Sequence, residues 1–312
     1  MKRFIPLICV LSCSTTELSA SWQLDRLRLL AVRAEVDAEP DPVLGTRAEP
    51  RPGETVVFSS LKYVPDDVTL DGTIWLACIP EDAFGFGCEL DEEAIEQAFD
   101  SLDDDSSYQD FMEALEAARN AGLIGLEPDW EPAWTIPSNA LDTLSEAEAK
   151  EGVNAFINIT LSTGGETDPE NAELAFKRMP VSDATSPNHN PDITDFVVAG
   201  VALDGAIGFN ARQGQVYTIE PVLADGHVET YQFINGQGET EWRTEEPFFT
   251  WFTETGGTKR ENRASFDNPE SLYPYSSVEW TAPSTSGEIL LHTVVRDRRG
   301  GMGWRSLRVN VL

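Results

Sequence analysis

The sequence predicts a mainly β protein of two β-sandwich modules, the first of which carries an acidic helical insertion. Three observations support this prediction. Short runs rich in β-branched and aromatic residues recur along the chain between turn-forming residues. One internal segment, residues 89–151, changes to helical periodicity. The 312 residues are enough to bury two separate cores.

The first module is predicted over residues 24–185. A Pro-Gly turn leads into a β-rich run that ends at Phe58, and a second run covers residues 73–78. Strand character returns at residues 156–161 and 175–181. This spacing of short strands is typical of a β-sandwich.

The insertion is predicted at about residues 89–151. It repeats apolar residues at helical spacing, and Ser145 to Glu148 reads as a capping box that opens a short helix. The segment has 19 acidic residues against Arg119 and Lys150, a net charge of −17. This concentration of charge indicates a distinct structural unit.

The second module is predicted over residues 191–312, after a turn-forming junction at 186–191. Its predicted strands lie at residues 197–203, 216–219, 222–223, 248–252, 278–280, 289–295 and 307–312.

Residues 250–312 carry a family pattern. Thr250-Trp251-Phe252 and Gly256-Gly257 precede Trp280-Thr281-Ala282-Pro283, and Asp297 and Gly300-Gly301 follow near the end. This resembles the immunoglobulin-like and PKD-like repeats of bacterial surface proteins. The resemblance implies two immunoglobulin-like sandwiches, with Trp251 filling the second core and, more weakly, Trp75 matching in the first. The whole chain resembles uncharacterised predicted lipoproteins of myxobacterium-like Gram-negative bacteria, a group that brings no activity to carry over.

The N-terminus has the pattern of an export signal. Basic Lys2 and Arg3 precede the apolar run 4–11, which is too short to span a bilayer as a helix. Ser12-Cys13 then resembles a lipobox, which implies that residues 1–13 form a lipoprotein signal and that Cys13 is lipid-attached. Residues 14–23 are predicted to be a tether. The alternatives are cleavage after Ala20, which would release a periplasmic protein, and an ordinary apolar N-terminus.

Cys78 and Cys88 form an even pair, which favours a disulfide in an exported protein. Two buried free thiols are the alternative. The spacing does not fit a zinc site, because no second pair and no nearby histidine accompany it.

The net charge of −32 argues against nucleic acid and anionic lipid headgroups as partners. Five arginines at 296, 298, 299, 305 and 308 form a cationic edge on this acidic chain, interpreted as a solvated face that could instead meet an acidic partner or the acidic insertion itself.

The sequence carries no catalytic motif, and its three histidines lack metal or triad spacing. We therefore predict no enzyme activity and no cofactor. A hydrolase with paired carboxylates is the least favoured alternative.

Two clusters are candidate binding sites. Asp100, Asp103, Asp104 and Asp105 could bind calcium, although a solvated acidic loop is the favoured interpretation. Trp130 and Trp134 could form an aromatic platform for a glycan, although packing of the insertion is favoured.

Together these features predict a lipid-anchored cell-envelope protein, most consistent with the outer membrane, that has a structural or protein-interaction role. Its predicted partners are the membrane, through the N-terminal lipid, and an envelope protein or glycan. A glycan-binding module is the alternative function.

Overall fold

The structure is a computed structural model that describes residues 20–80, 92–100, 107–163, 172–205, 208–234, 239–256 and 262–312. The strands of the first half are β1 (Gln23–Leu24), β2 (Arg28–Val36), β3 (Thr55–Tyr63), β4 (Leu70–Cys78), β5 (Leu123–Glu127), β6 (Ala133–Thr135), β7 (Val153–Thr163) and β8 (Glu173–Val181). The helices are α1 (Glu92–Asp100), α2 (Tyr108–Asn120) and α3 (Glu146–Glu151). The remaining strands are β9 (Ile193–Val198), β10 (Val201–Ala202), β11 (Gly208–Ala211), β12 (Val216–Leu223), β13 (Thr230–Ile234), β14 (Thr240–Thr244), β15 (Phe248–Glu254), β16 (Ser265–Asp267), β17 (Glu270–Leu272), β18 (Val278–Thr281), β19 (Gly287–Arg296) and β20 (Met302–Val311).

The first sandwich packs the sheet β2-β3-β6 against the sheet β5-β4-β7-β8. In immunoglobulin terms this is A-B-E facing C′-C-F-G. Trp75 on β4, the C strand, is fully buried, and its ring centroid lies 6.1 Å from that of Phe58 on β3. The two sheets therefore share one core, with a tryptophan at its centre.

The second sandwich packs the sheet β10-β9-β12-β18-β16 against the sheet β1-β15-β19-β20-β11, in which β17 also pairs with β15. The strands β9, β12, β18 and β16 give the order A-B-E-D, and β15, β19 and β20 give C-F-G, which is the immunoglobulin order. Strand β11 adds to this sheet in parallel beside β20. Both sandwiches are thus immunoglobulin-like, and the predicted fold class is confirmed by the strand order itself.

The last strand illustrates why these residues form a sandwich. Along β20, Leu307, Val309 and Val311 are buried, while Arg308 and Asn310 between them are exposed. Alternation with a period of two directs one face of the strand into the core and the other into solvent. Trp251, as the resemblance implied, is fully buried on β15 and lies 5.9 Å from Phe196 between ring centroids.

The segment predicted as a mostly helical insertion contains two strands of the sandwich as well as helices. Helices α1 and α2 lie between β4 and β5, and α3 lies between β6 and β7, but β5 and β6 themselves belong to the sandwich. The run Leu123–Glu127 is short and apolar, and it pairs with β4 instead of extending a helix. The helix boundaries agree better with the sequence, because Ser145 and Glu148 make the predicted capping box and Gly152 ends α3 with φ of 78°.

The end of the predicted tether is folded. Gln23 and Leu24 form β1, which pairs in parallel with Thr253 and Glu254 of β15 in the second sandwich. Trp22 packs edge-on against Phe266, with ring centroids 5.7 Å apart. Burial of a tryptophan side chain stabilises this folded position of the segment over that of a solvated linker.

No helix within the described ranges is long and apolar enough to cross a membrane.

Candidate functional site at the junction of the modules

The candidate functional site lies at the junction between the two sandwiches, where buried polar, apolar and charged side chains of both modules meet. The sequence predicted a turn-forming link at 186–191; in the structure Ser186 is exposed, whereas Asn188, Asn190 and Pro191 of the same link are buried. Asn188 and Asn190 are almost inaccessible to solvent. The Asn190 amide donates to the backbone oxygen of Ala34 at 2.7 Å and accepts from the backbone N–H of Met302 at 3.0 Å. One side chain therefore joins strands from both modules.

An apolar cluster forms one side of the junction. Its buried members are Leu24, Leu30, Ala31, Phe252 and Val294, which come from β1, β2, β15 and β19. Since these strands belong to different sandwiches, the modules share a small core of their own. A shared core holds two modules in a fixed relation better than a solvated linker does.

A charged cluster forms the other side, and we call it the Arg299 cluster. It consists of Glu49, His189, Glu229, Glu245, Asp297 and Arg299. Glu49 lies between β2 and β3, His189 lies in the link, and the others come from the second module.

Arg299 is the centre of this cluster. Its Nη1 donates to Glu229 Oε2 at 3.0 Å and to Glu245 Oε1 at 2.9 Å, and its Nη2 lies 3.9 Å from Glu49 Oε2. The guanidinium also stacks over the ring of Tyr231, 4.1 Å from the centroid. One cation thus faces three carboxylates and an aromatic ring, so it ties the first module to the β13–β14 hairpin.

Asp297 fixes the turn that carries Arg299. Its Oδ1 accepts from the backbone N–H groups of Arg299 at 2.7 Å and Gly301 at 3.0 Å, and its Oδ2 accepts from Asn188 Nδ2 at 2.8 Å. A Cβ on Gly301 would lie 2.0 Å from Asp297 Oδ2. The position therefore requires glycine for space.

The electrostatics of the junction reflect burial. Removal from water raises the pKa of Glu245 to about 7, and the Asp297 charge adds to this rise. Burial also raises the pKa of Asp297 and lowers the pKa of Lys177 to about 8. The Lys177 amine donates to the backbone oxygen of Gly300 at 2.6 Å, which adds another bond between the modules.

These carboxylates are structural acceptors. Both oxygens of Glu245 accept hydrogen bonds, from Arg299 and from the backbone N–H of Glu229, and both oxygens of Asp297 are likewise engaged. A cleft of about 400 Å³ borders the two residues. A general acid or base needs an oxygen that can reach a substrate, and these oxygens are directed at protein donors instead.

The three histidines also serve the fold. His189 Nδ1 lies 2.7 Å from Glu229 Oε1, and His292 Nδ1 lies 2.7 Å from Ser306 Oγ. His227 accepts from the backbone N–H of Asp192 at 3.0 Å, so its Nε2 donates to the Val43 backbone oxygen of the first module at 3.1 Å. His227 therefore bridges the modules.

The raised pKa of Glu245 predicts a pH dependence. Between its usual pKa and about 7, the folded chain holds a proton that the unfolded chain releases, so this contribution to stability is lost as pH rises through that window. We expect wild type to lose more stability than Glu245→Gln between about pH 5 and about pH 8 in urea unfolding.

His292 works in the opposite direction, because burial lowers its pKa to about 4. Its contribution is common to wild type and Glu245→Gln and cancels in the difference between them. Unfolding free energies that run parallel with pH in both proteins would contradict the role of Glu245.

The candidate residues near the cysteines are only partly described. Cys13 and Cys88 lie outside the described residues, and Cys78 is the last residue of β4. The lipid attachment and the Cys78–Cys88 disulfide stay predictions.

The aspartate cluster is also only partly described. Asp103, Asp104 and Asp105 lie outside the described residues, and Asp100 ends α1. Asp110, which follows them, accepts from Ser107 in the capping box of α2. Among the residues that the structure describes, no group of three or more acidic, histidine or cysteine side chains has an arrangement that could hold a metal ion.

The structure does not bring the two candidate tryptophans onto one platform. Trp134 lies on β6 and packs against the first core, whereas Trp130 packs against a separate cluster around Leu76 and α2. The Arg119 guanidinium lies over the Trp130 ring at 4.5 Å. Both side chains are half-buried, and a role for either one in glycan binding stays a prediction.

Sequence reasoning missed the Arg299 cluster. It grouped Arg299 with four other arginines as a solvated edge, but Arg299 meets carboxylates of its own chain, and Arg296 donates to the backbone oxygen of Leu30. Arg298 and Arg308 are exposed, as expected. The one available signal was the concentration of arginine next to Asp297 and Gly300-Gly301 in a chain otherwise poor in cations.

Comparisons with known proteins give weak likenesses only. No family model matches the chain, and no curated protein matches it. Among solved structures, the tandem V-type regions of the chitin-binding protein VCBP3 match at 10% identity over 90% of this chain and 100% of that one, with a TM-score of 0.28. The fibronectin(III)-like modules of Clostridium thermocellum CbhA match at 10% identity over 89% and 93%, with a TM-score of 0.22. A nucleoside hydrolase-related hypothetical protein of Saccharophagus degradans matches at 19% identity over 42% of this chain and 28% of its own length, with a TM-score of 0.26.

Proposed function

We propose that this protein is a lipid-anchored component of the cell envelope that acts as a rigid two-module scaffold for protein interactions, without catalysis. The observation that carries the proposal is the junction. Two immunoglobulin-like sandwiches are locked together by a shared apolar cluster and by the Arg299 cluster. A fixed arm suits display or spacing, because its reach and orientation do not fluctuate as they would across a flexible linker.

The path of the N-terminal segment supports an anchored orientation. Strand β1 lies on the second module, and only seven residue-to-residue steps separate Cys13 from Ala20. At full extension they would span about 25 Å, since each residue reaches at most about 3.6 Å. A lipid on Cys13 would therefore keep the second module close to the membrane surface.

Lipid attachment predicts a change in fractionation. Cys13→Ser should move the protein from the membrane fraction to the soluble fraction, because the acyl chains supply the membrane affinity. Cys9→Ser is the matched control, since this cysteine lies within the signal and should leave fractionation unchanged. Intact mass should show acyl chains on the wild type and none on Cys13→Ser. A soluble, unacylated wild type with Ser21 as its first residue would instead support cleavage after Ala20.

A further inference from the structure

Among the strands that the structure describes, β8 ends its sheet and has no partner on its outer edge. In the order β5-β4-β7-β8 it has a single neighbour. The equivalent G strand of the second module, β20, carries β11 beside it in parallel. Within the described ranges, no strand of the first module takes the place that β11 holds in the second.

The pairing with β7 shows which backbone groups face this edge. Asn154 of β7 lies opposite Pro180 of β8. Proline has no N–H, so this cannot be a hydrogen-bonded pair, and such pairs alternate along an antiparallel ladder. Leu174, Phe176 and Arg178 therefore direct their N–H and C=O groups away from β7. None of these six groups bonds to another backbone group among the described residues.

The side chains along this edge are unusually apolar for an exposed strand. Leu174 is 74% exposed and Phe176 is 67% exposed. The register through Thr160 places Ile74, also partly exposed, on the same outer face. Exposed edges are normally blunted by charge, proline or a bulge. Strand β8 has its proline at one end, Pro180, and a charge at the other, Glu173, but Leu174 and Phe176 between them leave an apolar stretch where another strand can add.

The charge beside the edge favours an anionic group at one end. A cleft of about 550 Å³ runs between β2 and β8 and meets the β19–β20 turn. Its charged lining residues are all basic: Lys177, Arg178, Arg296, Arg298 and Arg299. Arg178 is exposed and has no ion pair within the described part of the chain. Arg298 has a long ion pair, with its Nη1 3.8 Å from Glu246 Oε2.

The edge is closed beyond Arg178. A Cβ on Gly300 would lie 2.5 Å from Pro180 Cδ, so the turn sits directly against the strand there. At the opposite end, Glu173 pairs with Arg28 at 3.9 Å. The cationic end of the edge is therefore the Arg178 end, and the available length runs from Leu174 to Arg178.

We propose that this edge binds a short extended segment of a partner protein, with apolar residues at alternating positions and a carboxylate at the Arg178 end. The segment adds to β8 as a further strand, so its backbone satisfies the outward groups of Leu174, Phe176 and Arg178. Its apolar side chains cover Leu174 and Phe176, and its carboxylate meets Arg178 and Arg298. The inference rests on the interaction role proposed above but is independent of the lipid anchor.

Hydrogen exchange on the full chain tests the edge directly. The amides of Leu174, Phe176 and Arg178 should exchange fast, whereas those of Ala175 and Lys177, which bond to β7, should be protected. Protection of the first three in the protein alone would overturn the proposal. Protection that depends on protein concentration would assign the edge to a second copy, and protection that does not would assign it to another part of this chain.

Peptide binding tests the occupant. The probe is a fluorescein-labelled octapeptide of alternating Thr and Val that ends in Glu, measured by anisotropy with the full chain. Binding should protect the amides of Phe176 and Arg178, and a probe with Lys in place of Glu should bind about tenfold more weakly. A probe N-methylated on the edge that faces β8 should not bind, whereas methylation of the opposite edge should have little effect. Absence of binding by the Glu probe, or equal binding by all probes, would overturn the proposal.

Variants of the chain separate backbone and charge contributions. Phe176→Pro removes one outward N–H and the apolar ring without breaking the ladder to β7, Phe176→Ala removes the ring alone, and Arg178→Glu reverses the charge. Phe176→Pro and Arg178→Glu should each weaken probe binding about tenfold or more, and Phe176→Pro should weaken it more than Phe176→Ala. Arg212→Glu is the matched control, because this exposed arginine lies away from the cleft and should leave binding unchanged. Loss of binding in Arg212→Glu as well would show a non-specific charge effect and overturn the site. Fractionation of Cys13→Ser tests only the lipid anchor, and probe binding tests only the β8 edge. Failure of one proposal can therefore be told from failure of the other.

Discussion

Replacement of Arg299 by Met is expected to destabilise the protein by about 3–5 kcal/mol, because it leaves buried carboxylates without their cation. Glu49, Glu245 and Asp297 are each less than a tenth exposed. The change would appear in urea unfolding as a lower midpoint, with the first loss of structure at the junction.

The neighbouring residue supplies the control. Arg298 is 52% exposed on its side chain and lies 3.8 Å from Glu246, so Arg298→Met should change stability by no more than about 0.5 kcal/mol. Adding Glu245→Gln to Arg299→Met should recover part of the loss, since it removes one of the buried carboxyl groups that have lost their Arg299 partner. Equal stability of Arg299→Met and wild type would show that the cluster does not hold the modules together.

Truncation of Trp251 to Ala is the second large effect, with an expected loss of about 3–5 kcal/mol. The indole is fully buried between the sheets of the second sandwich and contacts both Phe196 and Phe266, at 5.9 and 6.0 Å between ring centroids. A cavity of this size cannot collapse without moving both sheets. Thermal unfolding followed by near-UV circular dichroism would measure the loss.

Trp242→Ala is the control for loss of a tryptophan as such. This residue is 68% exposed on the β13–β14 hairpin, so its truncation should cost no more than about 0.5 kcal/mol. Similar losses in the two variants would mean that Trp251 is not a core residue.

Trp251 and Arg299 also show how far sequence reasoning reached. The position of Trp251 was predictable, because a tryptophan in a β-rich run with the spacing of a known repeat has few alternatives to the core. The strands around it follow from alternation that is readable within single segments. Ser145 with Glu148 was predictable for the same reason, since both partners of the capping box lie within one turn.

The Arg299 cluster was not predictable, because its partners are distant in sequence. Glu245 is 54 residues away and Glu229 is 70 residues away, and the chain has many other carboxylates. Composition cannot select among them; only the packing of the modules does. The pairing of Gln23 and Leu24 with β15 was missed likewise, since two residues are too few for a periodic pattern.

Strands β5 and β6 were not predicted as strands because of the helical and acidic sequence that surrounds them. Leu123–Glu127 follows α2 after a single turn, and charge in the surrounding segment favoured one continuous helical unit. The pairing of β5 with β4 decided otherwise. A run of five residues carries too little information to separate a buried strand from the end of a helix.

The position of β1 also sets the order in which parts of the chain would detach under a pulling force. A pull on the N-terminal segment loads the two paired residues of β1 and the Trp22–Phe266 contact before it reaches β2. Strand β2, by contrast, pairs with β3 along nearly its whole length. Detachment of β1 would lengthen the extended N-terminal segment by about 3.4 Å for each residue freed, while both sandwiches stay folded. If the chain is anchored at its N-terminus, its reach would therefore have a shorter and a longer value, and tension would select between them.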